Sequence, residues 1–310
     1  MGRQVSKLLG SAAAVAALVA TVDATAETPN LYGMPGHLEM PSAQVFPDAE
    51  IVASFSGFPG QERVTLTFQA SERLTLAFRY GRVADYIQPG GEDLWDRSFD
   101  VAYQLLSEGR ARPAVSIGMR DIIGTGVYSG EYIVASKSFG PGLTVSGGLG
   151  WGRLGTRGAI GSPFGERPPA DVGEGGRLAV EQWFKGPAAP FAGINWDIDE
   201  RWSVSAEYSS DALEAETALG LADPSSPVNL GLSYRTKDGH RLSLSWLHGE
   251  TIGFGAHFAL NPNRSAAPTG TEAGPVPVAP RNRAELNDLT WVAPGIDAEN
   301  KYFFFHSFNS

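Results

Sequence analysis

The sequence predicts an all-β protein, an antiparallel transmembrane β-barrel of about a dozen strands, with about 10 to 14 as the range. Apolar and polar residues alternate with period two from residue 49 onward, as they do along strands. Glycine makes up 38 of the 310 residues, or about 12%, against roughly 7% in soluble proteins. Charged residues make up only 19%, against about 25% in soluble proteins. After residue 26, no apolar stretch is long enough for a membrane helix.

The N-terminus predicts a cleaved signal peptide over residues 1 to 26. Arg3 and Lys7 precede an alanine-rich apolar run over residues 8 to 22, and Ala24-Thr25-Ala26 gives the small-x-small pattern of a cleavage site. The run is shorter than the roughly 20 apolar residues that a membrane anchor needs. We therefore expect export, with a short N-terminal segment over residues 27 to 48 ahead of the barrel.

Strand patterns fill residues 49 to 260, the predicted barrel. The clearest apolar faces in its first half are Val64, Leu66 and Phe68; Leu74, Leu76, Phe78 and Tyr80; Phe99, Val101, Tyr103 and Leu105; and Val115, Ile117 and Met119. Those in the second half are Val204, Ala206 and Tyr208; Leu230, Leu232 and Tyr234; Leu242, Leu244 and Trp246; and Ile252, Phe254, Ala256 and Phe258. Segments of about eight to ten residues with one apolar face suit transmembrane strands.

A soluble β-sandwich would also have alternating strands. Its outward face is normally rich in Lys and Glu, whereas the polar faces here are mostly Ser, Thr, Gly and Asn, as expected of a lumen lining. Aromatic residues near the predicted strand ends favour the membrane barrel, because their rings can lie at the headgroup level. These residues are Tyr80, Trp151, Trp196, Trp202, Tyr208, Tyr234 and Trp246.

Irregular sequences divide and end the barrel. Residues 83 to 96 are predicted to form a loop, and residues 153 to 176 a longer one that is either external or an inward plug. Residues 261 to 284 have the composition of a proline-rich linker, so the barrel should close before residue 261. Residues 285 to 310 are predicted to be a C-terminal tail, either one strand or disordered.

Composition excludes several functions. The net charge of −10 and the lack of a basic cluster argue against a nucleic-acid partner. Without cysteine there is no disulfide, no thiolate nucleophile and no cysteine-based metal site. No His-x-x-x-His pair or glutamate-flanked zinc pattern is present, and the glycine-rich runs at residues 124 to 130 and 147 to 152 lack a following helix. We therefore expect no cofactor and no metal.

Several long runs resemble the YjbH family of outer-membrane proteins linked to exopolysaccharide production and group 4 capsule operons. They include NLYGMPGHLEMPSAQVFPDAE at residues 30 to 50 and, within residues 95 to 155, RDIIGTG, EYIVASK and GLGWGRLG. FKGPAAPFAGINWD at residues 184 to 197 and VNLGLSYRTKDGHRLSLSWLHGETIGFGAHFALNP from residue 228 also match. The resemblance covers nearly all of residues 30 to 263.

The resemblance implies an outer-membrane β-barrel lipoprotein or porin-like component of polysaccharide secretion, with no established catalytic residue. Two features depart from the family pattern. Members are usually about twice as long, which would make this chain a truncated or single-barrel relative. No cysteine follows Ala24-Thr25-Ala26, so we expect no lipid anchor on this chain.

Five polar residues are the candidates for the lumen wall: Asp100, Arg120, Glu207, Arg235 and His257. Each falls on the polar face of its strand. Charges of both signs would either line a path for a hydrophilic solute or form structural ion pairs that fill a narrow barrel. His257 would serve as a base only if a nucleophile lay within hydrogen-bond reach, and serines are frequent on every strand.

The leading functional hypothesis is a non-enzymatic outer-membrane barrel in exopolysaccharide or capsule export or assembly, as a conduit or a scaffold. Its expected partners are outer-membrane lipid, exopolysaccharide and other proteins of the same secretion operon. Two alternatives stay open: a barrel hydrolase acting on lipid or polysaccharide, and a structural remnant of a larger two-barrel protein.

Overall fold

A computed structural model describes residues 27–88, 92–169 and 178–263. The predicted signal peptide, the tail and all but the first three residues of the linker lie outside the described residues. The strands are β1 (Ile51–Phe58), β2 (Gln61–Ser71), β3 (Leu74–Gln88), β4 (Glu92–Leu106), β5 (Ala114–Arg120), β6 (Gly130–Phe139), β7 (Leu143–Gly150), β8 (Ala189–Asp197), β9 (Trp202–Tyr208), β10 (Val228–Arg235), β11 (Arg241–Leu247) and β12 (Thr251–Leu260). A short helix, α1 (Glu214–Ala218), lies between β9 and β10.

The twelve strands form a closed antiparallel barrel, which confirms the predicted fold class. Each strand pairs with the next along the chain, and β1 closes the sheet against β12 from Ile51↔Leu260 to Gly57↔Phe254. Closure before residue 261 leaves no unpaired edge, as a lipid environment requires. We call the rim with Ile51 and Leu260 the terminus end and the opposite rim the loop end. The longest connections, after β7 and β9, lie at the loop end.

The loop predicted at residues 83 to 96 is wrong for most of its length. β3 continues to Gln88 and β4 begins at Glu92, with Val83 paired to Leu94 and Gln88 to Glu92. The residues Pro89, Gly90 and Gly91, which suggested a loop, lie outside the described residues. The pairing of a long hairpin therefore overrides the polar composition that flanks its tip.

The outward faces of the strands form a continuous apolar belt. Leu66 on β2, Phe99 on β4, Leu232 on β10, Leu244 on β11 and Phe254 on β12 are all exposed. Neighbouring residues on the other face of the same strands are buried and mostly polar. An exposed apolar surface that encircles the barrel matches the lipid-facing surface of a membrane barrel and excludes the sandwich, in which these faces would be buried.

The interior is filled by the N-terminal segment. We call residues 28 to 46 the plug; residues 28 to 43 are buried without interruption. Three apolar clusters join it to the wall. Met40 and Ala43 pack with Tyr132 and Phe191, Tyr32 packs with Val83 and Tyr128, and Leu31 and Leu38 pack with Phe58 and Leu247. The hydrophobic core of this protein thus lies between the plug and the barrel wall.

Among the residues that the structure describes, no helix is long and apolar enough to cross a bilayer.

Candidate functional site

The plug has a defined conformation of its own. The Asn30 side chain accepts hydrogen bonds from the backbone N–H groups of Tyr32 and Met34, at 2.9 and 3.1 Å. The chain then folds back so that the N–H of Leu31 reaches the carbonyl of Leu38 at 2.7 Å. Asparagine side chains commonly stabilise such turns because they mimic a backbone acceptor. The plug is therefore a folded element and not an extended strand laid through the lumen.

Glu207 on β9 is the main polar anchor of the plug. Its Oε2 accepts the backbone N–H groups of Leu38 at 2.9 Å, Glu39 at 3.0 Å and Met40 at 2.9 Å. Asn229 on β10 donates to its other oxygen at 2.8 Å. One buried carboxylate thereby satisfies three consecutive backbone donors of the plug, an arrangement that stabilises an ionised acceptor.

Other wall residues bind the plug around much of the barrel. Donors to plug carbonyls are Ser56 to Leu31, Thr67 to Gly33, Asn195 to Gly36, Arg120 to Glu39, and both Gln104 and Ser116 to Ala43. Acceptors from plug N–H groups are Ser136 for Ala43 and Gln69 for Phe46. These groups come from six strands, so polar side chains of the wall satisfy the buried backbone of the plug.

A buried pair ties the plug to the loop end. His248, in the turn between β11 and β12, contacts the Glu39 carboxylate through Nε2 at 2.6 Å. Burial lowers the pKa of His248, but the neighbouring Glu39 carboxylate outweighs burial, so the pKa lies above the ordinary value. The pair is accordingly strongest when the imidazole is protonated.

Arginine side chains surround the aromatic tip of the plug. The guanidinium groups of Arg63, Arg79 and Arg120 lie 4.4, 5.0 and 4.1 Å from the centre of the Tyr32 ring. Tyr128, from the loop between β5 and β6, packs edge-on against Tyr32 with ring centroids 5.8 Å apart. Contacts of this kind are attractive because the ring face carries negative charge density.

Two inward glycines make room for the plug. A Cβ atom at Gly193 would overlap the His37 ring, and one at Gly231 would overlap the side chain of Leu38. Both glycines lie within strands, where glycine otherwise weakens pairing, so close approach explains their presence. Part of the glycine enrichment of the sequence is therefore explained by the space that the plug needs inside the barrel.

Four of the five predicted lumen residues lie in the interior. Asp100, Arg120, Glu207 and His257 are buried, whereas Arg235 is half-buried at the terminus end. Asp100 pairs with Arg79, a buried residue that the sequence did not single out. Arg120 and Glu207 bind the plug, and His257 bonds to Ser54.

Arg235 does not join the other four. It lies at the last position of β10, where its guanidinium donates to the Glu200 carbonyl at 3.0 and 2.8 Å. Alternation predicts that Arg235 lies on the polar face of its strand, but alternation alone does not say at what height along the barrel axis a residue lies. Its role is to tie β10 to the turn between β8 and β9.

His257 has a serine partner inside the barrel. Its Nδ1 lies 2.8 Å from Ser54 Oγ on β1, and both residues are buried. Within the described ranges, no hydrogen bond joins a carboxylate to this ring, so the third member of a catalytic triad is missing from the contacts. The same residues include no group of three or more His, Asp or Glu side chains placed to hold a metal ion.

The loop end carries a second polar cluster, outside the strands. Arg153 pairs with Asp211 at 2.5 Å and with Glu216 of α1 at 2.8 Å, and Arg167 pairs with Glu131 at 2.7 Å. Burial raises the pKa of Glu216, but Arg153 outweighs burial and the pKa lies below its ordinary value. Glu216 is therefore ionised at neutral pH.

Two cavities flank α1 at the loop end. The larger, of about 400 Å³, is lined by Arg153, Asp211 and Gln182 and, at exposed positions, by Glu214 and Ala215. The smaller, of about 300 Å³, lies beside Gln61 and Glu216. Cavities of this size fall within the usual range for small ligands.

Trp151 differs from the other predicted interfacial aromatic residues. It is buried at the loop end against Phe164 and Phe184, with ring centroids 6.0 and 5.3 Å away, so its assignment to the membrane interface is wrong. Trp196, Trp202 and Trp246 are exposed at strand ends, as expected of interfacial rings. Trp151 follows β7, where the chain turns inward and no longer alternates.

The family model of exopolysaccharide biosynthesis protein YbjH, of the YjbH family, matches residues 28 to 300. This match covers more than half of the chain and includes both the plug and the barrel. The chain belongs to the YjbH family. The YjbH resemblance of the sequence is thereby confirmed.

A curated relative is the uncharacterized lipoprotein YjbH of Escherichia coli (strain K12). It is 29% identical over 245 residues, which make up 75% of this chain and 35% of that protein. The chain thus spans about a third of the length of the relative.

Solved porins show a similar barrel at low sequence identity. The KdgM porin is 9% identical and aligns over 68% of this chain and 97% of that chain, with a TM-score of 0.38. The NanC porin gives the same identity and coverage with a TM-score of 0.35. These similarities concern the fold alone.

Proposed function

We propose that this YjbH-family chain is a non-enzymatic outer-membrane barrel that acts as a scaffold in exopolysaccharide export or assembly. The observation that carries the proposal is the plug. A lumen occupied by a folded, hydrogen-bonded segment does not offer a continuous path, so the barrel presents its two rims to lipid, polysaccharide and partner proteins. Family membership supplies the link to exopolysaccharide, and the apolar belt supports an outer-membrane location.

A gated conduit is the second candidate. The plug belongs to no strand of the barrel, so it can leave without breaking a ladder. The wall that it would expose is rich in hydroxyl and amide groups, including Ser56, Thr67, Gln104, Ser116 and Ser136. Such groups both donate and accept hydrogen bonds, which suits passage of sugar hydroxyls.

Locking the plug separates the two candidates. The chain has no cysteine, so the double variant A43C/S136C introduces a unique pair where the Ala43 N–H already bonds to Ser136 at 2.8 Å. Disulfide formation is verified by gel mobility with and without reductant. If the chain acts as a scaffold, the locked variant and the single-cysteine variants should restore surface exopolysaccharide to the same level in a gene-deletion strain. Loss of exopolysaccharide only in the locked form, restored by reductant, would establish the conduit.

The hydrolase alternative is tested separately with H257A. Removing a catalytic base lowers the rate by roughly 100- to 10,000-fold, whereas a scaffold retains full exopolysaccharide output in the complemented strain. The companion variant is S54A, which removes the hydroxyl that would act as the nucleophile and keeps the imidazole. Output that collapses in both variants, while both barrels remain folded, would favour enzyme chemistry over the scaffold.

A further inference from the structure

The geometry points to a binding site for a neutral oligosaccharide in the two cavities that flank α1 at the loop end. This inference rests on the proposed role in exopolysaccharide assembly and names the ligand class and its place. The cavities lie among the connections after β1, β5, β7 and β9, with the loop end of β3 beside the smaller one. A ligand therefore reaches them without displacement of the plug.

The walls of the larger cavity are held in place before a ligand arrives. Arg153 is fixed by Asp211 and Glu216, and Arg167 by Glu131 and by Ser129 at 2.9 Å. Gln182 is buried and donates to the carbonyls of Pro168 and Pro169. Side chains locked in this way lose little conformational freedom on binding, which favours affinity.

The charge balance selects against an anionic ligand. Both arginines that line the larger cavity already pair with carboxylates, Arg153 with Asp211 of the same lining and Arg167 with Glu131. Glu214 adds a further acidic group to this lining. A phosphate or uronate would meet compensated cations and neighbouring negative charge. A neutral polyol, whose hydroxyls both donate and accept, matches paired donors and acceptors better.

A buried carboxylate that lines the smaller cavity has one oxygen without a hydrogen-bond partner. Glu216 is 1% exposed, and its Oε1 accepts from Gln61 at 3.0 Å and from Arg153 at 2.8 Å. Its Oε2 is buried without a hydrogen-bond partner. An ionised carboxylate oxygen in this state requires a donor, and a ligand hydroxyl in the adjoining cavity supplies one. We therefore expect a ligand to place a hydroxyl group beside Glu216 of α1.

The spacing of the two cavities favours more than one sugar unit. Glu214 and Ala215 line the larger cavity, and Glu216 and Gly220 line the smaller one, so a single turn of α1 borders both. An oligosaccharide that follows α1 would occupy both cavities, whereas a monosaccharide would fill one. We therefore expect affinity to rise with chain length.

The test is a glycan array that carries neutral, acidic and amino oligosaccharides, probed with the fluorescently labelled full chain in detergent. Ala215 faces the larger cavity from an exposed position of α1, so A215W fills the cavity with little cost to folding. Ala218, also exposed on α1, does not line either cavity, which makes A218W the matched control. Heat-modifiable gel migration verifies that both barrels are folded.

We expect the wild type and A218W to bind neutral oligosaccharides equally and A215W to bind at least about tenfold more weakly. A222W, at the smaller cavity, should also weaken binding of long oligosaccharides. No binding to neutral glycans, binding to acidic glycans alone, or equal binding by A215W would each overturn the inference. Exopolysaccharide output in the deletion strain tests the scaffold independently, so failure on the array leaves that proposal standing.

Discussion

The outer surface and the interior of this barrel use the same strands but obey different rules. On the outside, Leu66, Phe99, Leu244 and Phe254 differ in shape and make few specific contacts, yet all are acceptable because lipid only requires apolarity. On the inside, Glu207, Ser136 and Gln69 each bind one defined atom group of the plug. Contact with lipid determines which residues are tolerated on the outer surface. Individual contacts with the plug determine which residues are tolerated in the interior.

This difference explains what substitutions should do. On the belt the penalty depends on polarity and depth in the bilayer. In the interior it depends on whether a partner in the plug is left without its bond or displaced.

Replacing Glu207 by alanine should cause the largest loss of stability. Three backbone N–H groups of the plug would lose their acceptor inside the barrel, at an expected cost of about 3–5 kcal/mol. The measurement is the free energy of unfolding in urea, in lipid vesicles, followed by tryptophan fluorescence. E200A, an exposed glutamate in the turn between β8 and β9, is the control. Equal stability of the two variants would show that the plug is not held by this anchor.

Replacing Leu244 by arginine tests the belt. Leu244 is exposed in the middle of β11, where an arginine facing lipid costs about 2–4 kcal/mol. Leu260, at the end of β12, is the control, since arginine near the interface costs only about 0–1 kcal/mol. The difference between the free energies of unfolding of L244R and L260R in vesicles reports how deep Leu244 lies in the bilayer. A difference near zero would mean that Leu244 does not face lipid.

Replacing Gly193 by valine tests steric fit in the interior. The added side chain would overlap the His37 ring of the plug, and overpacking typically costs about 1–3 kcal/mol. Gly147 is exposed, and a Cβ atom there would meet only the Phe191 carbonyl oxygen at 4.0 Å, so G147V should be close to neutral. Both variants are compared by urea unfolding and by proteolysis of the plug. Equal behaviour of the two would contradict the packing of His37 against β8.

The smallest predicted effect is a dependence on pH. The folded-state pKa of His248 is raised, so its contribution to stability is complete below the unfolded value and is lost as the pH rises through the folded value. The wild type should therefore lose stability as the pH rises above the ordinary histidine value of 6.5, in urea titrations at a series of pH values. H248N keeps a residue that tolerates the positive φ of 58° and removes the titrating group.

A second group changes stability in the same direction, which is why the variant is needed. Burial, followed by the neighbouring Asp96, raises the pKa of Asp121 to about 8, so its contribution also falls as the pH rises. The difference between wild type and H248N isolates the histidine. If the two pH profiles coincide, the pair between His248 and Glu39 does not stabilise the plug.

The sequence predicted the belt well because alternation is a local signal. Apolar faces such as Leu230 and Leu232 can be identified within one strand, and the pattern also gave the approximate number of strands and the closure before residue 261. The errors arose where alternation stops or is hidden by composition. Trp151 turns inward after β7, and the hairpin of β3 and β4 extends through a polar, glycine-containing stretch.

The plug could not be predicted from alternation. Its contacts join residues far apart in the chain, such as Leu38 to Glu207, separated by 169 positions. Three signals were present: prolines and glycines ahead of the first strand, glutamate and glutamine on polar strand faces, and inward glycines such as Gly193 and Gly231. None of these signals shows which segment of the chain contacts the polar strand faces. The long loop after β7 was therefore an equally reasonable candidate for a plug.

The most direct test of the whole account is a spin-label accessibility measurement on β11 in lipid vesicles. Because the chain has no native cysteine, single substitutions at Leu244 and Ser245 give unique labels on opposite faces. We expect the label at 244 to be accessible to oxygen dissolved in lipid, and the label at 245 to be protected from oxygen and from water-soluble nickel complexes. Nickel access at 245 would reveal an open, water-filled lumen, and protection at 244 would show that the apolar faces do not contact lipid.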